Sequence, residues 1–150
     1  MCFANIRRAR HRQQGVGLIE VLVSLVIVSI GLLGAAALQA TALRNNQGSY
    51  ERTQTSILTQ GIFDAMRANR DGVSANGYNT AGWMCAAPAN SSLASSDLGR
   101  WIDNLHQQIQ ADACGNIDCV ALACTVQIRW DDSRATGGAA AQLVQSRAQL

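Results

Sequence analysis

The sequence predicts an α+β chain: a long N-terminal helix, membrane-spanning in its first half, packed on a small antiparallel β-sheet head. Three observations predict it. Residues Val21 to Leu38 are 18 consecutive positions without a charge, close to the roughly 20 apolar residues that cross a bilayer core as a helix. The more polar sequence that follows keeps a helical spacing of apolar residues as far as Asn69, with no proline before Pro88. Further on, Thr125-Val126-Gln127-Ile128-Arg129-Trp130 alternates, which reads as a strand with Val126, Ile128 and Trp130 on one face.

Composition narrows the class. Of 150 residues, 48% are apolar and 15% charged, against roughly 25% charged in an ordinary soluble domain. These values exclude a disordered chain and a highly charged nucleic-acid binder. All 12 basic residues are arginine, and Arg7, Arg8, Arg10 and Arg12 stand at the start. Without residues 1–15 the chain carries 8 Arg against 10 acids, a formal charge of −2. No direct nucleic-acid site is therefore expected on the body of the protein.

The apolar run extends outward to Val16–Leu43, 28 residues with one charge, Glu20. A buried core helix is the competing explanation, but the 107 residues after Leu43 are too polar to wrap such a helix on all sides. Ser24, Ser29, Gly31 and Gly34 suit close packing between membrane helices. The basic residues precede the run, so the positive-inside bias puts the N-terminus in the cytoplasm and residues from about 44 onward across the membrane. In a bacterium that is a single-pass inner-membrane protein with a periplasmic head. A secretory signal peptide would also begin with a basic stretch, and Ala35-Ala36-Ala37 resembles its small-residue cut site. Glu20 argues against that reading. A charge in a membrane helix costs about 2.5–3.5 kcal/mol at the centre and less near the edge, and an export signal has no use for one.

The residues around Glu20 read Gln14-Gly15-Val16-Gly17-Leu18-Ile19-Glu20-Val21-Leu22. This resembles the prepilin cleavage site of type IV pilins and their relatives. The resemblance implies cleavage by prepilin peptidase after Gly15, N-methylation of Val16, and Glu20 as the fifth mature residue. Cleavage after Gly17 would make Glu20 the third. The chain departs from the usual pattern in having Val16 where the first mature residue is commonly Phe, and in the length of its 15-residue leader. The family also implies a role for Glu20: its carboxylate meets the N-terminal amine of a neighbouring subunit during assembly. In low dielectric such a pair is a strong Coulomb term offset by desolvation, so register and selectivity are its main benefit.

After Leu43, the series Leu58, Ile62 and Met66 and the pair Tyr50 and Ile57 fit a helical face. Gly48 and Gly61 each weaken that helix by about 1 kcal/mol relative to Ala. One long helix is expected from about Gly17 to Asn69, with Asp71-Gly72 as its stop. Arg67 and Arg70 complement the dipole at its C-terminus. The ending Asp64-Ala65-Met66-Arg67-Ala68-Asn69 and the stretch Gly31-Leu32-Leu33-Gly34 resemble minor pilins of the PilV type.

The expected organisation has four parts: a basic leader over 1–15, a transmembrane and polymerisation helix over 16–43, its periplasmic half over 44–70, and a disulfide-braced α+β head over 71–150. The turn-rich stretch from Asp71 to Asp97 is expected to supply little core. A second helix is expected from about Leu98 to Ala111, with Asp97 as N-cap and Leu98, Trp101, Ile102, Leu105 and Ile109 as its apolar stripe. A strand is expected over Val120–Trp130, a polar solvated turn through Asp131-Asp132, and an antiparallel partner over Gln142–Arg147. Cys2 lies in the leader. Cys85, Cys114, Cys119 and Cys124 form an even set in an oxidising compartment, which points to two disulfides. Four cysteines allow three pairings, and spacing does not choose among them. A metal site with His106 is disfavoured, because the cysteines lack the usual two-residue knuckle.

No nucleophile elbow, metal-binding His pair or phosphate loop is present, so neither catalytic residues nor a cofactor are expected. His106 reads as a solvated helix residue. The resemblance implies a minor pilin of type IV pilus assembly, with twitching motility and adhesion downstream. Its partners would be other minor and major pilins, prepilin peptidase, the inner-membrane assembly machinery and the lipid bilayer. A minor pseudopilin of a type II secretion system would share the same N-terminus. A membrane-anchored periplasmic binding domain that never polymerises is the alternative from another class.

Overall fold

The computed structural model describes Gly15, residues 17–135 and residues 137–150. Residues 1–14 of the basic leader, with Cys2, and Val16 and Thr136 lie outside the described residues. Helix α1 runs Leu18–Ala68, and the chain divides into two units between Gln39 and Ala40.

In the N-terminal unit, the Gly17 carbonyl starts the helix by accepting from the Glu20 N–H at 2.9 Å. Ser24 and Ser29 return their hydroxyls to the carbonyls of Val21 and Leu25 at 2.8 and 2.7 Å. Neither serine then leaves an unsatisfied polar group on an otherwise apolar surface.

In the second unit, α1 buries Gly48, Glu51, Thr55, Leu58, Thr59, Ile62, Phe63 and Met66. The steps from Glu51 through Thr55, Leu58 and Ile62 to Met66 follow one face of a 3.6-residue helix. Tyr50 and Ile57 do not join it and stay 56% and 55% exposed. They share a face with each other, but each lies about 100° around the helix from Glu51 and Leu58. Glu51 and Thr55 occupy positions that apolar spacing alone would not assign to the core. Gly48 has a packing role: a Cβ there would stand 3.2 Å from Ala135 Cβ and 3.3 Å from an Asp132 carboxylate oxygen.

The Asn69 amide bonds back to Ala65 and Met66, and its side chain accepts from the Gly72 N–H at 3.2 Å. It thereby caps a further short helix, α2, over Arg70–Ser74. The turn-rich segment that follows contributes more core than its composition suggests, since Val73 and Tyr78 are fully buried.

Helix α3 spans Leu93–Gln108 and starts earlier than the apolar stripe implies. Ser92 is the N-cap, and Ser92 and Ser95 form a reciprocal capping box, so two backbone donors are satisfied before the stripe begins. Asp97 is therefore an internal, buried residue rather than a cap. The stripe residues Leu98, Trp101, Ile102 and Leu105 are buried.

The sheet has three antiparallel strands in the order β1 (Cys114–Val120), β2 (Ala123–Trp130) and β3 (Gln142–Gln149). The expected single strand over Val120–Trp130 is broken. Val120 ends β1, and Ala121 turns the hairpin with φ 54°. Val126, Ile128 and Trp130 face the core as the alternation predicts. Segment 79–84 covers the outer edge of β1: Thr80 N–H donates to the Ile117 carbonyl at 2.9 Å, and Met84 and Gly115 exchange bonds at 2.8 and 2.9 Å. β3 forms the other edge. The core joins Leu58, Ile62, Phe63 and Met66 of α1 to Ile102 and Leu105 of α3 and Ile117, Val126 and Ile128 of the sheet.

Candidate functional site

Gly15 is exposed and outside any helix or strand, and Glu20 sits in the first turn of α1. A carboxylate there is favoured by the positive end of the helix dipole. Its surroundings are otherwise apolar. Every large hydrophobic residue from Leu18 to Leu38 is at least 45% exposed, including Leu18, Ile19 and Val23 beside Glu20. A continuous apolar surface of this size needs lipid or other helices to cover it. The helix is long and apolar enough to cross a membrane, and its N-terminal position suits membrane anchoring. Among the described residues Glu20 has no ion-pair partner.

The second unit is held by covalent and polar ties. Cys85 bonds to Cys114 and Cys119 to Cys124. The second pair is directly cross-strand in the register of β1 and β2. The sulfurs are thus committed to disulfides rather than free to bind a metal. His106 is half-buried, with Nε2 3.0 Å from the Ala113 carbonyl oxygen, and so is not the solvated residue its position suggests.

Four residues form a polar relay that ties α3 to the end of α1, with Tyr78 and Asp97 buried at its centre. The Tyr78 hydroxyl donates to an Asp97 carboxylate oxygen at 2.5 Å and accepts from the Asn69 amide at 3.1 Å. Arg100 donates to the other Asp97 oxygen at 2.5 Å. Burial, together with the bond to Asp97, pushes the Tyr78 hydroxyl up to about 12.

A second polar cluster ties α1 to the sheet. Glu51 accepts from the Trp130 indole N–H at 3.1 Å and stands 3.9 Å from Arg134. Asp132 is 3% exposed and pairs with Arg52 at 3.3 Å. Only Asp131 behaves as the solvated turn residue expected of both aspartates. Bonds from Ser133 hold its carboxyl below the usual range. The sequence did carry one signal for Glu51, its place on the Leu58–Ile62–Met66 face. Asp132 offered none, because its burial depends on Gly48 admitting the 132–135 turn against α1.

No curated protein and no solved structure matches the chain. Residues 10–36 match the prokaryotic N-terminal methylation motif. That segment takes in Gly15, Val16 and Glu20, and together with the exposed apolar helix and the α+β head it supports a type IV pilin-like protein acting in pilus or pseudopilus assembly.

Proposed function

We propose that the chain is a minor pilin of the PilV type, matured by prepilin peptidase and built into the complex that primes a type IV pilus. The observation that carries this reading is the methylation motif over residues 10–36, with Glu20 the one charge in the apolar run that begins inside it. Cleavage falls after Gly15 and leaves Val16 as an N-methylated first residue. The Glu20 carboxylate then pairs with the Val16 amine of a neighbouring pilin. The leader holds the N-terminus in the cytoplasm until processing, and the head faces the periplasm. The paired-cysteine head and the Asp64–Asn69 helix ending favour a pilus over a secretion pseudopilus.

The test is mass spectrometry of the mature protein from a host carrying the assembly system. A start at methylated Val16 is expected. An intact Met1, or a cut near Ala37, refutes the reading and leaves a non-polymerising membrane anchor. Glu20→Ala should insert into the membrane normally and be lost from sheared filaments by tenfold or more. Undiminished incorporation of that variant would remove Glu20 from the mechanism. Co-purification with pilus rather than secretion components separates the two assembly systems.

A further inference from the structure

A cavity of about 460 Å³ lies in the second unit, between α1 and the 132–135 turn. Its lining carries two guanidiniums, Arg44 and Arg134, and two buried carboxylates, Glu51 and Asp132. Such a lining is near neutral overall but sharply divided in sign. A simple anion would meet the carboxylates, and a simple cation would meet the arginines. A ligand bearing both charges meets neither penalty.

Capacity for a ligand remains on both sides. Among the described residues Arg44 forms no ion pair. Arg134 is 3.9 Å from Glu51, too far for a hydrogen bond. Each carboxylate has about four acceptor sites. Glu51 accepts a close bond from Trp130 at 3.1 Å and long ones from the Gln110 amide at 3.5 Å, and Asp132 accepts a long one from Arg52 at 3.3 Å, so neither carboxylate is saturated.

Position narrows the ligand. Arg44 is the first residue after the apolar run. The headgroup layer beside a bilayer core is roughly 5–8 Å deep. Residues 16–43 are proposed above to span the membrane, so Arg44, next in sequence, leaves the apolar run where lipid phosphates begin.

We infer that this cavity binds an ammonium–phosphate zwitterion. Arg44 and Arg134 hold the phosphate, as guanidiniums commonly do, and Glu51 and Asp132 accept from the ammonium. The same chemistry is offered by a phosphatidylethanolamine headgroup and by a free aminoalkyl phosphate.

The Trp130 indole N–H reports on the site, because it donates to Glu51. The full chain in maltoside micelles is titrated with O-phosphoethanolamine while the Trp130 indole resonance is followed by NMR. A saturable shift is expected, with inorganic phosphate alone and ethanolamine alone each binding at least about tenfold more weakly. Arg44→Gln should weaken binding at least about tenfold without moving the resonance of the unliganded protein, and Arg44→Lys should recover part of the loss. In nanodiscs, replacing phosphatidylglycerol by phosphatidylethanolamine should produce the same shift if the lipid is the source. A response confined to the soluble compound assigns a free zwitterion. No shift in either arm, or an equal response to inorganic phosphate alone, overturns the inference. Failure of the membrane reading is separately visible as failure to enter nanodiscs, and the soluble arm does not depend on it.

Discussion

Tyr78→Phe is the sharpest probe of the head. The ring is fully buried and would keep its packing, so the change removes one hydroxyl and little else. That hydroxyl serves two partners: Asp97 loses a donor to one carboxylate oxygen, and the Asn69 amide loses an acceptor. A hydrogen bond to a charged group contributes about 1.5–3 kcal/mol, and a buried partner left unpaired adds its own desolvation cost. Arg100 still neutralises Asp97 from the other oxygen, which keeps the expected loss near 2 kcal/mol. For a domain of this size that lowers Tm by about 8 °C. Thermal unfolding of the full chain in detergent, followed by near-UV circular dichroism, measures it.

A pH series tests the same bond by a second route. The Tyr78 hydroxyl is raised from 10.0 to about 12 by folding. Below pH 10 both states hold the proton, and this contribution is fully present. Above pH 10 the unfolded chain releases its proton first, so stability falls as pH rises toward 12. Between pH 9 and pH 11 the fall should be about 1.4 kcal/mol in the parent and absent from Tyr78→Phe. A variant within about 2 °C of the parent, with an unchanged pH profile, would refute the relay.

Two further changes test the packing. Removing Cys85–Cys114 frees a loop of separation 29, and removing Cys119–Cys124 one of separation 5. Chain entropy assigns these about 3.6 and about 2.1 kcal/mol, so paired Cys→Ser variants should rank in that order in chemical denaturation, and the reverse order would contradict it. Gly115→Ala places a Cβ onto the Trp101 ring at a residue also bonded on both sides to Met84. Overpacking of this kind costs about 1–3 kcal/mol, and a variant as stable as the parent by denaturant midpoint would show that α3 can shift freely.

How much of this was legible beforehand depended on whether a residue's role is local. The α1 helix, the Leu98–Leu105 stripe and the inward face of β2 follow from spacing alone, because periodicity is set by the backbone. β1 was hidden. Its sequence Cys-Gly-Asn-Ile-Asp-Cys-Val has poor strand propensity, and it is a strand because β2, segment 79–84 and a disulfide hold it there. Asp97 was misplaced because its composition suits an N-cap, while Ser92 and Ser95, five and two residues earlier, satisfy that end first. The site divides in the same way. Glu20 and Gly15 stand out in a linear motif. Glu51 and Asp132 come together only through the fold, 81 positions apart.

The hairpin bond between Cys119 and Cys124 also bears on how the head reaches its oxidised form. A chain emerging reduced into an oxidising space holds four thiols and three ways to pair them. Closure of a loop becomes harder as the loop lengthens, which favours the two pairs five residues apart, Cys114 with Cys119 and Cys119 with Cys124; the hairpin then decides, because β1 holds Cys114 and Cys119 apart along one extended strand while the Ala121 turn sets Cys119 opposite Cys124. Once they have joined, only one pairing is left, and it is the native one. The β1–β2 hairpin therefore acts as a proofreader, turning a combinatorial search into an ordered route.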